Sequence, residues 1–150
     1  MNAPSQRESI RVSSEAREEF ERLALESYPN EACGTLIGHR VDTNTFDLSS
    51  VRPGRNLAAD AGDHFDLHPA DIVLADRMAR RSGLEVIGIW HSHPDQPARL
   101  SNDDLESAWG GWIQLIVSVG PDGARDLRAW RVGSQSPPTA SEFRIESSAE

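Results

Sequence analysis

The chain contains no lysine; all 15 of its basic residues are arginine. A phosphate-binding loop of the Walker type needs a Lys on the phosphates, and Schiff-base or pyridoxal chemistry needs a Lys amine, so both are excluded. Cysteine is nearly as scarce. The single Cys33 rules out an intrachain disulfide, a cysteine-rich structural zinc site and the paired-cysteine half of a zinc deaminase site. Long apolar runs are missing too, with nothing near the ~20 residues of a membrane span and no apolar stretch at the N-terminus to act as a signal peptide. The expectation is therefore a soluble protein of the reducing cytoplasm with no membrane partner. Positive charge is in deficit, since 15 basic residues against 24 acidic ones give a formal net charge of -9. Such a surface repels a phosphate backbone, and nucleic acid is not expected as a partner.

What is present suits one domain. A chain of 150 residues can remove roughly 70% of its unfolded surface from water, so no second copy is needed for folding and either a monomer or a homodimer is expected. Residues 8–12 alternate like a short strand, and Ser13 or Ser14 opens a helix running to Ser27, with Ala16, Phe20, Leu23 and Ala24 on its inner stripe and Pro29 beyond its end. Strands follow at Ala32 to Val41 and Thr45 to Val51, joined by a turn at Asp42, Thr43 and Asn44. Residues 52–65 are rich in Gly, Pro, Asn and Asp and read as the longest connection. Pro69 starts a second helix that ends at Gly83, with Leu74, Ala75, Met78 and Ala79 as its buried seam. The next strand spans 84–93, and simple alternation puts Ile87, Ile89, His91 and His93 on one face. A short helix begins at Ser101. Strands at 112–119 and 124–132 then form a hairpin about Gly120, Pro121, Asp122 and Gly123.

Chemistry concentrates between His91 and Asp104. Two imidazoles at strand spacing reach one ion, and a carboxylate in the first turn of the next helix can point back at it. These are donors that suit zinc, and three of them leave one tetrahedral position for water. Ser101 and Asp104 also have the spacing of a capping box, which accounts for both residues without any metal. The two readings are compatible if the carboxylate of Asp104 turns outward from the cap.

The run His91-Ser92-His93-Pro94, followed by Ser101 and Asp104 and preceded by Glu31 in Glu-Ala-Cys-Gly-Thr-Leu-Ile-Gly, resembles the complete JAMM motif of MPN-domain zinc metalloproteases. It is similar in particular to small stand-alone bacterial members, some of which cleave after the C-terminal Gly-Gly of ubiquitin-like sulfur-carrier proteins. The resemblance implies an α/β fold: a single MPN (cytidine deaminase-like) domain with a curved mixed β-sheet flanked by helices. That domain is expected over residues 1–132, with 133–150 a Ser- and Pro-rich tail that has room for one docking strand. It implies Zn2+ held by His91, His93 and Asp104, with Glu31 as the base that takes a proton from water and hands it to the leaving amine, and Ser101 steadying the oxyanion. The implied partner is the C-terminal tail of a ubiquitin-like or sulfur-carrier protein. Only Leu105 to Gly111 lie between Asp104 and the strand at Trp112, too few for the insertions that grip a second ubiquitin, so a narrow site for one flexible tail is expected.

Other residues have plainer readings. Cys33 is expected as a small buried hydrophobe, and His64 and His68 as a loop residue and part of a helix start. Trp90, Trp109, Trp112 and Trp130 suit packing, although Trp109 and Trp112 follow the site closely and are candidates to border a substrate groove. Two other functions remain open on sequence: a non-catalytic MPN scaffold, against which the filled motif argues, and a zinc hydrolase of a small amide.

Overall fold

Capping chemistry sets the first helix. Ser13 takes extended backbone angles and its side chain accepts from the Ala16 N–H at 3.1 Å, which starts α1 at Ser14–Ser27 directly after the short strand β1, Ser9–Val12. The computed structural model describes residues 7–108, 111–133 and 137–148. Strands β2 (Cys33–Asp42) and β3 (Thr45–Gly54) form a hairpin, followed by helix α2 (Pro69–Arg81) and strand β4 (Glu85–Pro94). Helix α3 (Asn102–Ser107) precedes a second hairpin of β5 (Ile113–Gly120) and β6 (Gly123–Val132), and β7 (Ala140–Glu142) and β8 (Arg144–Ser147) end the described chain. None of the described helices is long and apolar enough to cross a membrane.

Among the described residues one mixed sheet runs in the order β7-β6-β5-β4-β2-β3-β1-β8. Strand β4 pairs parallel with β5, and β1 pairs parallel with both β3 and β8; the other pairs are antiparallel. Only Phe143 separates β7 from β8, yet these strands hold opposite ends of the order. Consecutive Cα atoms lie about 3.8 Å apart, so the sheet must curl until it nearly closes. Phe143 is buried at that seam, edge-on to Phe46 with centroids 6.1 Å apart. The segment past Val132 thus contributes two short strands where the sequence suggested one.

Helices cover both faces. Phe20, Leu23 and Ala24 of α1 pack with Trp90, Leu115 and Val117 into the main core, while Ala75 and Ala79 of α2 pack with Ile37 and Val86 on the other side. The fold class read from the sequence is the one observed, an α/β domain with a curved mixed sheet.

Three local expectations are corrected. Leu74 is 54% exposed and not part of the α2 seam, where Ala75 and Ala79 are the buried residues and Ile72 packs beside Cys33, Leu67 and Ile89. The apolar positions of α2 exceed what one face can bury, and the sheet selects the stripe one step around. Strand β3 runs three residues past Val51, because Arg52, Pro53 and Gly54 stay in register with Thr35, Gly34 and Cys33. Ile87 does not share a face with Ile89 and the histidines. The pairing of β2 with β4 slips between Leu36 and Ile37, so Gly88 and Val86 are matched while Ile87 is skipped. This bulge turns Ile87 into the main core with Trp90 and leaves Val86, Ile89, His91 and His93 on the α2 side. Beside the bulge Gly88 has no substitute, since a Cβ there would lie 2.1 Å from the Ile113 carbonyl oxygen.

Candidate metal centre

Strand alternation over the last residues of β4 brings both imidazoles to one side, and α3 returns across the loop to face them. His91 is fully buried and His93 nearly so. Their Nε2 atoms are 3.1 Å apart, and Asp104 Oδ2 lies 3.3 Å from the first and 3.2 Å from the second. Ligands 2.0–2.1 Å from a tetrahedral zinc ion are separated by roughly 3.3 Å, so these atoms form a triangle of the size of one tetrahedral face. A carboxylate oxygen of Glu31 also lies within 4.8 Å of ligand atoms on both histidines. Two carboxylates thus face the pair, and the tighter set is the one with Asp104.

The surroundings fix the donors. His93 Nδ1 lies 2.8 Å from the Pro97 carbonyl oxygen, which only accepts, so Nδ1 carries a proton and Nε2 is the nitrogen left to face His91 and Asp104. His91 stacks on Phe65, with centroids 4.2 Å apart and planes 19° from parallel, and its buried Nδ1 has no hydrogen-bond partner. Asp104 plays two parts through one oxygen. Its backbone N–H donates to Ser101 Oγ at 3.0 Å, while its Oδ2 accepts from the Ser101 N–H at 2.9 Å and faces the imidazoles. The capping box is therefore real and its carboxylate also lines the centre; no outward turn of Asp104 is required.

Glu31 arrives from a distant part of the chain. Cys33 pairs with His91 across β2 and β4, and Ser92 clamps the residue before it: the Ala32 N–H donates to Ser92 Oγ at 2.8 Å and the Ser92 N–H donates to the Ala32 carbonyl at 2.9 Å. The Glu31 N–H donates to the Ala61 carbonyl at 2.6 Å, and Asn56 Nδ2 donates to the Glu31 carbonyl at 3.0 Å. Asn56 also bonds the backbone of Ala58, His64 and Asp66, so the Gly- and Asp-rich connection is tied down around the centre. Sequence reasoning missed Ser92, Asn56 and Phe65. Ser92 carried a signal, since a small polar residue between two histidines faces the opposite side of the strand and there meets a backbone.

Environment separates the two carboxylates. Burial pushes Glu31 up to about 7, against the pull of His93 and with help from Asp104 and Asp63. Burial opposes ionisation of Asp104 as well, but both imidazoles and the Ser101 N–H outweigh it and hold the group well below the usual carboxylate range. Burial lowers His91, keeping it neutral. In His93 the same effect is overcome by Asp104 and the Pro97 carbonyl, which raise it. Two carboxylates facing one imidazole pair thus differ in ionisation, Asp104 an anion and Glu31 raised toward neutrality.

The remaining candidates fall as follows. Ser101 lines the cleft beside the centre together with Glu31, Asp63, His93 and Arg99. Trp112 lines an adjoining pocket with Phe65, Asp66, Ile89 and Ser107, and Trp109 lies outside the described residues. Cys33 is buried against Leu67 and Ile89, its thiol pushed up to about 12 by burial and by Glu31. His68 caps α2, its Nδ1 accepting from the Ala70 N–H at 3.1 Å, and His64 pairs with Asp103 at 3.2 Å. Trp90 lies in the core, where its Nε1 donates to the Arg52 carbonyl at 3.0 Å.

Residues 13–133 match the family described as prokaryotic homologs of the JAB domain. A desampylase of Haloferax volcanii is 31% identical over 117 residues, covering 77% of this chain and 75% of that protein. A probable TtuB-protein conjugate cleaving protease of Thermus thermophilus is 32% identical over 108 residues, covering 72% and 68%. The solution structure of a protein from Desulfitobacterium hafniense superposes with a TM-score of 0.82 at 29% identity, covering 94% of each chain.

Proposed function

Because the chain belongs to the family of prokaryotic homologs of the JAB domain, we propose that it is a zinc-dependent peptidase or isopeptidase that hydrolyses the bond after the C-terminal Gly-Gly of a ubiquitin-like or sulfur-carrier protein. The observation that carries this reading is the donor triangle of His91, His93 and Asp104, with edges of 3.1–3.3 Å, set beside Glu31. Zinc suits a set of two neutral imidazoles and one carboxylate, and bound there it would lower the pKa of a coordinated water toward ~7 and polarise a scissile carbonyl.

The chain's own groups do the rest. Glu31, whose carboxyl burial raises to about 7 in the metal-free chain, is the proton acceptor of this reading: it takes the proton of the attacking water and returns it to the leaving amine. Ser101 spends an oxygen lone pair on the Asp104 N–H, which leaves its hydroxyl proton free to donate to the developing oxyanion. Pro97 and Phe65 hold the rings of His93 and His91 with both Nε2 atoms already turned toward Asp104. Support for the substrate class comes from relatives named as a desampylase and as a TtuB-protein conjugate cleaving protease. The short connection after α3 favours a narrow site that admits one extended tail.

The test is to incubate the purified chain with carrier proteins extended beyond Gly-Gly, with and without chelator, and to weigh the products. Cleavage directly after Gly-Gly that stops on chelation is expected. Intact carrier tails alongside hydrolysis of a small amide would replace this reading.

A further inference from the structure

A pocket opens on the face of the sheet that carries the imidazole pair. Gln114 sits beside Ile89 in the β4–β5 pairing, and Ile116 sits beside His91, so Gln114 lies one pleat repeat, ~7 Å, back along the strands from the metal centre. Phe65, Ile72, Ile89 and Trp112 wall the pocket, with Asp66 and Ser107 also lining it, and its volume is about 180 Å³, far more than the ~10–15 Å³ that one water needs. Phe65 presents its ring to His91 and also lines the pocket, so the two sites share a wall. Gln114 is 2% exposed and its Nε2 has no hydrogen-bond partner. A buried amide donor without an acceptor costs free energy that a bound acceptor recovers, and a largely apolar pocket beside that donor suits a ligand with an apolar body and one adjoining carbonyl.

We propose that this pocket is a substrate subsite that takes one apolar side chain of the carrier tail, while a neighbouring backbone carbonyl of that tail accepts from Gln114 Nε2. The proposal rests on the peptidase reading above. Glycine has no side chain to fill the pocket, so the residue concerned precedes Gly-Gly. The tail is the constant part of every conjugate, whereas the leaving amine varies, and a built pocket serves the constant part.

Conjugates with Leu, Ala or Asp at each of the three positions before Gly-Gly test this through kcat/KM, and NMR follows the Gln114 side-chain amide as the corresponding free tail peptides are added to the zinc-loaded protein. At one position Leu should exceed Ala by tenfold or more, within the range a pocket gains from a few methylene groups. Asp should be rejected there. The Gln114 amide signal, identified by its loss in Gln114→Leu, should move with the Leu peptide and stay still with the Asp peptide. Ile72→Trp, which narrows the pocket from its α2 wall, should erase the preference for Leu. Cleavage with equal kcat/KM for all residues at all three positions, and a Gln114 signal that never moves, would reduce the pocket to a water site and overturn the proposal. If no Gly-Gly conjugate is cleaved but the signal still moves with Leu alone, the subsite stands and the assigned reaction falls.

Discussion

Replacing Glu31 by Gln separates the chemistry of this carboxylate from its cost to the fold. Glu31 is 7% exposed and its carboxyl is pushed from 4.5 to about 7, chiefly by burial. A raised acid pKa means that the folded state favours the protonated group, so this contribution is intact below pH 4.5 and is lost as pH rises through 7. Applied to that shift, linkage gives a burden on the metal-free wild type of about 1 kcal/mol at pH 5 and about 3 kcal/mol at pH 8. Gln has nearly the same shape and no charge, so metal-free Glu31→Gln should exceed the wild type in stability by those amounts. Urea denaturation with chelator at both pH values measures the gap. With zinc present the variant should still bind the ion but lose about 10²–10⁴ in turnover, the usual worth of a general base. A stability gap that does not widen from pH 5 to pH 8 would refute the electrostatic argument, and a variant that turns over at the wild-type rate would remove Glu31 as the base.

Three further outcomes follow from the same geometry. Asp104→Ala removes a candidate ligand and half of the α3 capping box together, so zinc content should collapse and thermal unfolding should show a loss of about 1 kcal/mol even in chelator. Ser92→Ala leaves the buried Ala32 N–H without its acceptor, which should cost about 1–3 kcal/mol, and kcat should fall although Ser92 touches no reacting group. Elemental analysis of the purified chain should find about one zinc per chain, as three protein ligands and a water would hold. Dialysis against chelator should abolish hydrolysis and added zinc should restore it.

Much of the centre was local enough to be read from the sequence. His91 and His93 converge because strand side chains alternate, and Ser101 and Asp104 face each other because three residues span one helical turn; neither relation needs the rest of the fold. Pro69 and Ser13 marked helix starts for the same reason, as did the turn at Pro121 and Asp122 for the last hairpin. The place of Glu31 depended on resemblance to a motif, since nothing within sixty residues of chain links it to the histidines; its physical cause is the pairing of Cys33 with His91 and the Ser92 clamp.

The tertiary structure decided what depends on partners distant in sequence. One skipped residue in the pairing of β2 with β4 moved Ile87 to the opposite face, an event that alternation within β4 cannot register. The sheet, and not the apolar count of α2, chose Ala75 over Leu74 for burial. Curling of the sheet gave residues 140–147 edges to pair with, and the approach of β5 to β4 set Gln114, its Nε2 without a partner, at the wall of a pocket. Short-range pattern states which groups a segment can offer, and only packing between segments states which of them meet.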